Sequence, residues 1–124
     1  MTGENIKDIL VKAGYTLNMT GENFWQITTP EGEAMVAFKP SKKILEFIIP
    51  FMKLPEVRRE EFYKNLLDLN ADGLDIGSFA VKDEEIMLVD RILTEDLDQS
   101  EVTGTVKLLF QELKEIYPKL VVWK

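Results

Sequence analysis

Residues 54–93 constrain this chain more than any other stretch. They read as one helix with an unusually wide apolar arc, followed by a hairpin with few polar positions. Leu54-Pro55-Glu56 opens the stretch, and Pro55 suits a first helical turn, where its missing N–H has no intrahelical partner anyway. Val57, Phe62, Leu66 and Leu69 recur at spacings of roughly three to five, which makes one apolar face running to about Asn70. Tyr63 and Leu67 lie a turn apart and widen it. An arc this broad calls for two neighbours. The sheet built from the following hairpin is one, and a second copy of the same helix is the candidate for the other.

The rest of the composition sets limits. At 124 residues the chain reads as a single domain over 1–124, large enough for a core and too short for two. No apolar run is long enough to cross a bilayer, and Met1-Thr2-Gly3-Glu4-Asn5-Ile6 lacks the basic and apolar regions of a signal peptide. Having no cysteine, the chain forgoes disulfides, thiol catalysis and thiolate metal sites, which is compatible with a reducing cytoplasm. Having no histidine, it also forgoes the commonest metal ligand and the side chain that titrates nearest neutrality. A net charge of −7 argues against nucleic acid, whose phosphates need a basic face. Lys39, Lys42, Lys43 and Lys53, with Arg58 and Arg59, read as solvated loop and strand-edge charges.

Taken in order, the first helix is expected over residues 3–13. Ile6, Ile9, Leu10 and Ala13 share a face, Thr2 is its N-cap and Gly14 its stop. Alternating segments follow around Tyr15, Leu17 and Met19, then residues 24–29, then residues 34–38, with turns at 20–23 and 30–32. This is an antiparallel meander. Residues 44–49 form a fourth strand, apolar on both faces, which Pro50 either ends or confines to an edge because proline cannot donate to a ladder. After the second helix, residues 77–82 and 85–92 make a hairpin with Asp83 and Glu84 at its tip. Its Ile86-Met87-Leu88-Val89 run is apolar on both faces, which predicts an internal strand under a helix. A third helix opens at Asp98, with Glu101 at capping-box spacing. Val102, Val106, Leu109, Phe110, Leu113 and Ile116 are its expected buried stripe, and Pro118 its end. Gly104 within that helix either marks a close neighbour or is merely tolerated. Leu120, Val121, Val122 and Trp123 are too apolar for a loose end, so a last strand or a docked tail is expected. The order α-β-β-β-(β)-α-β-β-α lacks the regular alternation of a parallel sheet. The fold class is therefore α+β, an antiparallel sheet with helices mostly over one face.

Motifs for chemistry are sparse. Asp68, Asn70, Asp72 and Gly73 match the first half of a calcium loop, but Phe79 stands where the closing glutamate should be, and a strand follows in place of a helix. A helix C-terminus explains the same residues, so no metal site is expected. Carboxylate pairs at Glu60/Glu61, Asp83/Glu84/Glu85 and Asp96/Asp98 fall in turns or helix starts, where negative charge is favoured without any catalytic role. No phosphate loop or nucleophile elbow is present, and neither a catalytic residue nor a cofactor is expected. Trp25, Met35, Phe47, Phe51 and Met52 are either ordinary core or an adaptable binding surface. Three helices cannot cover both faces of residues 44–52 and 86–89, which leaves apolar surface for a partner.

The run from Phe62 through Leu66, Leu67 and Leu69 to Asn70, the hairpin from Phe79 to Val89, Leu93 and Leu97, and a last helix ending near Tyr117-Pro118 together resemble the type III secretion chaperone-like superfamily. That group includes CesT (Tir chaperone) and YbjN-like proteins. The match covers the C-terminal half, while the N-terminal half agrees in element order. The resemblance implies an α+β homodimer joined through the second helix, which nominates Phe62, Tyr63, Leu66 and Leu67 for the dimer contact. Secretion chaperones in the group hold an effector segment on apolar patches. That nominates Ile9, Trp25, Ile27, Val36 and Phe38 as partner surface, with core as the other reading of the same residues. YbjN-like members need no secretion system. The expectation is a non-catalytic, cytoplasmic homodimer that binds a polypeptide, without cofactor, nucleic acid or membrane. The alternative is a small enzyme or ligand-binding domain that uses a carboxylate in a pocket.

Overall fold

Local capping sets the first element. In the computed structural model, which describes residues 1–123, α1 (Gly3–Lys12) begins where the Thr2 hydroxyl accepts the Asn5 N–H at 3.2 Å. The Asn5 side chain accepts the Thr2 N–H in return at 2.8 Å, which closes a capping box. The meander β1 (Thr16–Gly21), β2 (Phe24–Thr29), β3 (Gly32–Lys39) and β4 (Ile44–Lys53) follows. Next come α2 (Arg59–Asp68), one π-type turn (Leu69–Gly73), the hairpin β5 (Ser78–Lys82) and β6 (Glu85–Leu93), α3 (Gln99–Leu120) and a 3₁₀ turn (Val121–Trp123). The six strands make one antiparallel sheet in the order β1-β2-β3-β4-β6-β5. Asp83 and Glu84 both have positive φ, 51° and 67°, as a two-residue type I′ hairpin turn requires.

The pairing register sorts the strands into two faces. Trp25, Val36 and Phe47 stand in line, as do Phe38, Leu45 and Ile92, and Ile49, Leu88 and Phe79. These side chains share one core with Ile6 and Leu10 of α1, Phe62 and Leu66 of α2, and the α3 stripe Val102, Val106, Leu109, Ile116 and Leu120. All three helices therefore lie over the same face. Covering a sheet from one side is enough to close a core of this size.

Several expectations need correction. α2 starts at Arg59, not Pro55. Pro55 is buried before the helix, its carbonyl accepts the Arg59 Nε–H at 2.8 Å, and Arg58 sits at φ 59°, outside helical space. Val57, expected on the apolar face, is consequently 70% exposed. β4 does not end at Pro50 but runs on to Lys53 beside β6, and the edge alternative holds there, since past Ile48 the strand has no β3 partner. The β3 ladder has stopped at Met35 and Ile48, and the β6 ladder shifts register between Pro50 and Met52, so the proline falls where pairing is already interrupted. Pro118 does not end α3 either, since its missing donor affects only the last turn and the helix runs to Leu120. Phe110 and Leu113 are half-exposed, and the charged Glu112 is buried in the stripe instead. The Asp98 carboxylate accepts the Glu101 N–H at 2.9 Å and the Ser100 hydroxyl at 2.7 Å. The last turn is a docked tail and not a strand, its Trp123 ring lying 5.4 Å from Phe62, edge on. Nothing lies within 4 Å of a side chain added at Gly104, so no close neighbour explains that glycine.

Candidate functional site

The register that buries one face leaves the other without a helix over it, a bare face whose middle residues are half-buried by one another. Gln26, Met35, Ile48, Val89 and Ser78 stand in one row across it, and Pro50, Met87 and Ala80 in the next. Phe24, Ala37, Glu46 and Arg91 make a third. An antiparallel sheet with a wet face normally alternates polar residues onto it, whereas here its middle is apolar. Charge lies at its margins, at Glu33, at Lys82 and Glu85, and at Glu46 and Arg91. Glu46, 8% exposed, accepts Arg91 at 2.6 Å and lies 3.7 Å from Lys39. The signal for this surface was the occurrence of apolar residues at both parities in residues 44–49 and 86–89. Sequence alone did not say which parity would lie under the helices.

The nominated residues fall into two groups. Phe62 and Leu66 are core, at 0% and 4% exposure, packed on their own sheet, while Tyr63 and Leu67 point outward at 37% and 67%. The helix thus divides its wide arc between the core and the surface. Trp25, Ile27, Val36 and Phe38 are all buried beneath the helices, and Ile9 is half-buried against them. They take the core reading and do not form a surface together. The Trp25 indole N–H is itself buried without an acceptor. Met35, offered above as either core or binding surface, is half-buried on the helix-free face beside Ile48 and Met87, with Val89 buried at 6% between them; the last three fall within the runs expected to leave apolar surface.

Polar chemistry is spoken for elsewhere. The two buried carboxylates are both engaged: Glu46 by Arg91 and Lys39, and Glu112 by the Asp75 backbone N–H at 3.1 Å. Among the Asp68–Gly73 oxygens, Asp68 pairs with Lys64 at 3.1 Å. Asn70 bonds both backbone groups of Phe79, at 2.6 and 3.2 Å, which ties the π-type turn to β5. Glu61 is held below the usual carboxylate range by its hydrogen bond to Arg58 and by that residue's charge, and Asp98 by the Glu101 N–H and then Ser100. Both are exposed helix-start residues. Among the described residues, no three acidic side chains gather as a metal ligand set, and no helix is long and apolar enough to cross a membrane.

One curved antiparallel sheet, bare on one side and roofed by three helices on the other in the order α-β-β-β-β-α-β-β-α, is a secretion-chaperone-like α+β fold. A chain in the structure of the HopA1–SchA chaperone–effector complex superposes on it with a TM-score of 0.64 and 8% identity, over 87% of this chain and 86% of that one. No protein-family model and no curated protein sequence matches.

Proposed function

We propose that the chain, acting as one domain over residues 1–124, is a non-catalytic polypeptide-binding protein of the secretion-chaperone-like or YbjN-like kind, working as a homodimer in the cytoplasm. The observation that carries this reading is the helix-free, apolar sheet face on a fold shared with a chaperone–effector complex. A flexible polypeptide recovers binding energy by removing such a face from water, at about 25 cal/mol per Å² of apolar surface. Met35 and Met87 give the patch side chains that adapt to varied partners. Tyr63 and Leu67 are the exposed half of the proposed dimer contact, and Phe62 and Leu66 hold them in place from behind. The carboxylate-in-a-pocket alternative loses support because both buried carboxylates are already paired.

The test is a client assay. Wild-type protein should suppress the aggregation of a chemically unfolded client, and Ile48→Lys, on the half-buried middle of the bare face, should lose most of that effect while keeping the wild-type circular dichroism spectrum. Equal suppression by a correctly folded Ile48→Lys would remove the bare face from the function.

A further inference from the structure

The sheet is split beside the bare face. Past Met35 and Ile48, β3 and β4 no longer pair, so the backbone of residues 32–34 and that of residues 49–51 diverge around Pro50. On the helix side the split opens into a cleft of about 940 Å³, and on the bare face into a smaller one of about 130 Å³ between Gln26, Glu33, Met35 and Pro50. Phe110 lies across one end, close enough that a side-chain carbon at Gly32 would come within 3.3 Å of its ring. The roof is one face of α3, where Lys107, Phe110, Lys114 and Tyr117 alternate basic and aromatic, and Phe51 contributes to the floor. Among the described residues, neither Lys107 nor Lys114 pairs with a carboxylate.

Resting on the polypeptide-binding reading, we infer that this cleft takes one particular kind of segment: an extended stretch in which apolar and acidic residues alternate. Three features converge on it. The split leaves strand edges without a partner, and an extended peptide can add its main chain to such an edge. Phe51 and Ile49 supply an apolar floor for the alternate side chains, while Phe110 and Tyr117 flank the lysines on the roof and pack against the stems of the acidic ones. Lys107 and Lys114 are seven positions apart, which sets them roughly 10 Å apart along the helix. Acidic residues at alternate positions of a strand recur about every 6.6 Å, so flexible lysines at that spacing can each meet one. Interleaved basic and aromatic residues would also suit single-stranded nucleic acid, but Glu31 and Glu33 on the opposite wall would repel its phosphates. A peptide can keep its acids on the α3 side alone.

The probe is a fluorescein-labelled peptide of alternating valine and glutamate, followed by anisotropy. The Lys107→Glu/Lys114→Glu variant should bind it at least roughly tenfold more weakly, and the milder Lys107→Gln/Lys114→Gln should fall between. Lys42→Glu/Lys43→Glu carries the same change in net charge away from the cleft and should bind like wild type. Added salt should weaken wild-type binding. The proposal is overturned if reversal at 107 and 114 leaves affinity unchanged, if a valine–lysine peptide binds equally well, or if single-stranded DNA or laurate displaces the probe in preference. Client suppression that depends on Ile48 but not on Lys107 and Lys114 would sink this inference and leave the proposed function standing. Absence of suppression by the wild-type chain itself would remove the function.

Discussion

Leu66 and Leu67 are adjacent in sequence and opposite in consequence. Leu66 is 4% exposed within the core, so Leu66→Ala removes packed methyl groups and leaves a cavity, at a cost of about 2–5 kcal/mol. Leu67 is 67% exposed, and Leu67→Ala should change the stability of the isolated chain by less than about 0.5 kcal/mol. Urea unfolding at protein concentrations low enough to keep the chain monomeric compares the two directly, and similar losses would contradict the burial assigned to Leu66. Gly104 gives the opposite sign. With open space where a side chain would go, Gly104→Ala should stabilise α3 by about 1 kcal/mol, seen as a higher urea midpoint at unchanged slope. At this scale the sequence was legible wherever the cause was local. The Thr2 cap, the Asp83-Glu84 turn, and Asp98 with Glu101 all act within three residues. Glu112 was not legible, because the backbone group that satisfies it lies 37 residues away.

Elements were legible in kind and order, and misread at two of their prolines. Pro55 was expected to open α2 and Pro118 to close α3, on rules that consider one helix in isolation. Pro55 is instead held in the core, where its carbonyl is taken by the Arg59 side chain, and the helix waits until Arg58 has turned the chain through a left-handed residue. Pro50 was legible as an end or an edge, and it is an edge because β3 has stopped pairing two residues earlier, which nothing local shows. The helix start that was read well also makes a prediction about pH. The Asp98 carboxyl is held below its ordinary range in the folded chain by the Glu101 N–H and then by the Ser100 hydroxyl. A carboxyl depressed on folding stabilises above its unfolded pKa, and that stabilisation is lost as pH falls through the folded one. Asp98→Asn keeps a cap without the charge, so its stability deficit should be largest near neutrality and shrink on acidification. A deficit that stays constant from neutral to acid pH would show that the charge at this cap contributes nothing.

On the scale of the whole molecule, what the sequence shows is a surplus and what the fold adds is its location. Apolar residues at both parities of β4 and β6 guaranteed that one face would lack cover, but the choice of face depended on α1 and α3, which are distant in sequence. The residues nominated from family resemblance on β2 and β3 went under those helices, and Met35, Ile48, Met87 and Val89 came out on the other side. The molecule therefore carries two separate apolar exposures, the bare sheet face and the outer side of α2, and the proposed function assigns them different occupants. That assignment is separable by experiment. If α2 joins two copies, Tyr63 and Leu67 of one protomer meet a twin patch, as an isologous two-fold contact demands. Leu67→Glu then sets two like charges facing one another across the axis at an otherwise apolar contact. The wild-type chain should scatter light with the mass of a dimer, and Leu67→Glu with that of a monomer at the same concentration. The variant should keep its fold and its affinity for a short peptide, because the bare face and the cleft belong to each protomer alone. Ile48→Lys should do the reverse, binding client poorly as an intact dimer. A wild-type chain that is monomeric at every concentration, or a dimer that survives Leu67→Glu and is broken by Ile48→Lys, would transfer the dimer contact from the helix to the sheet or abolish it.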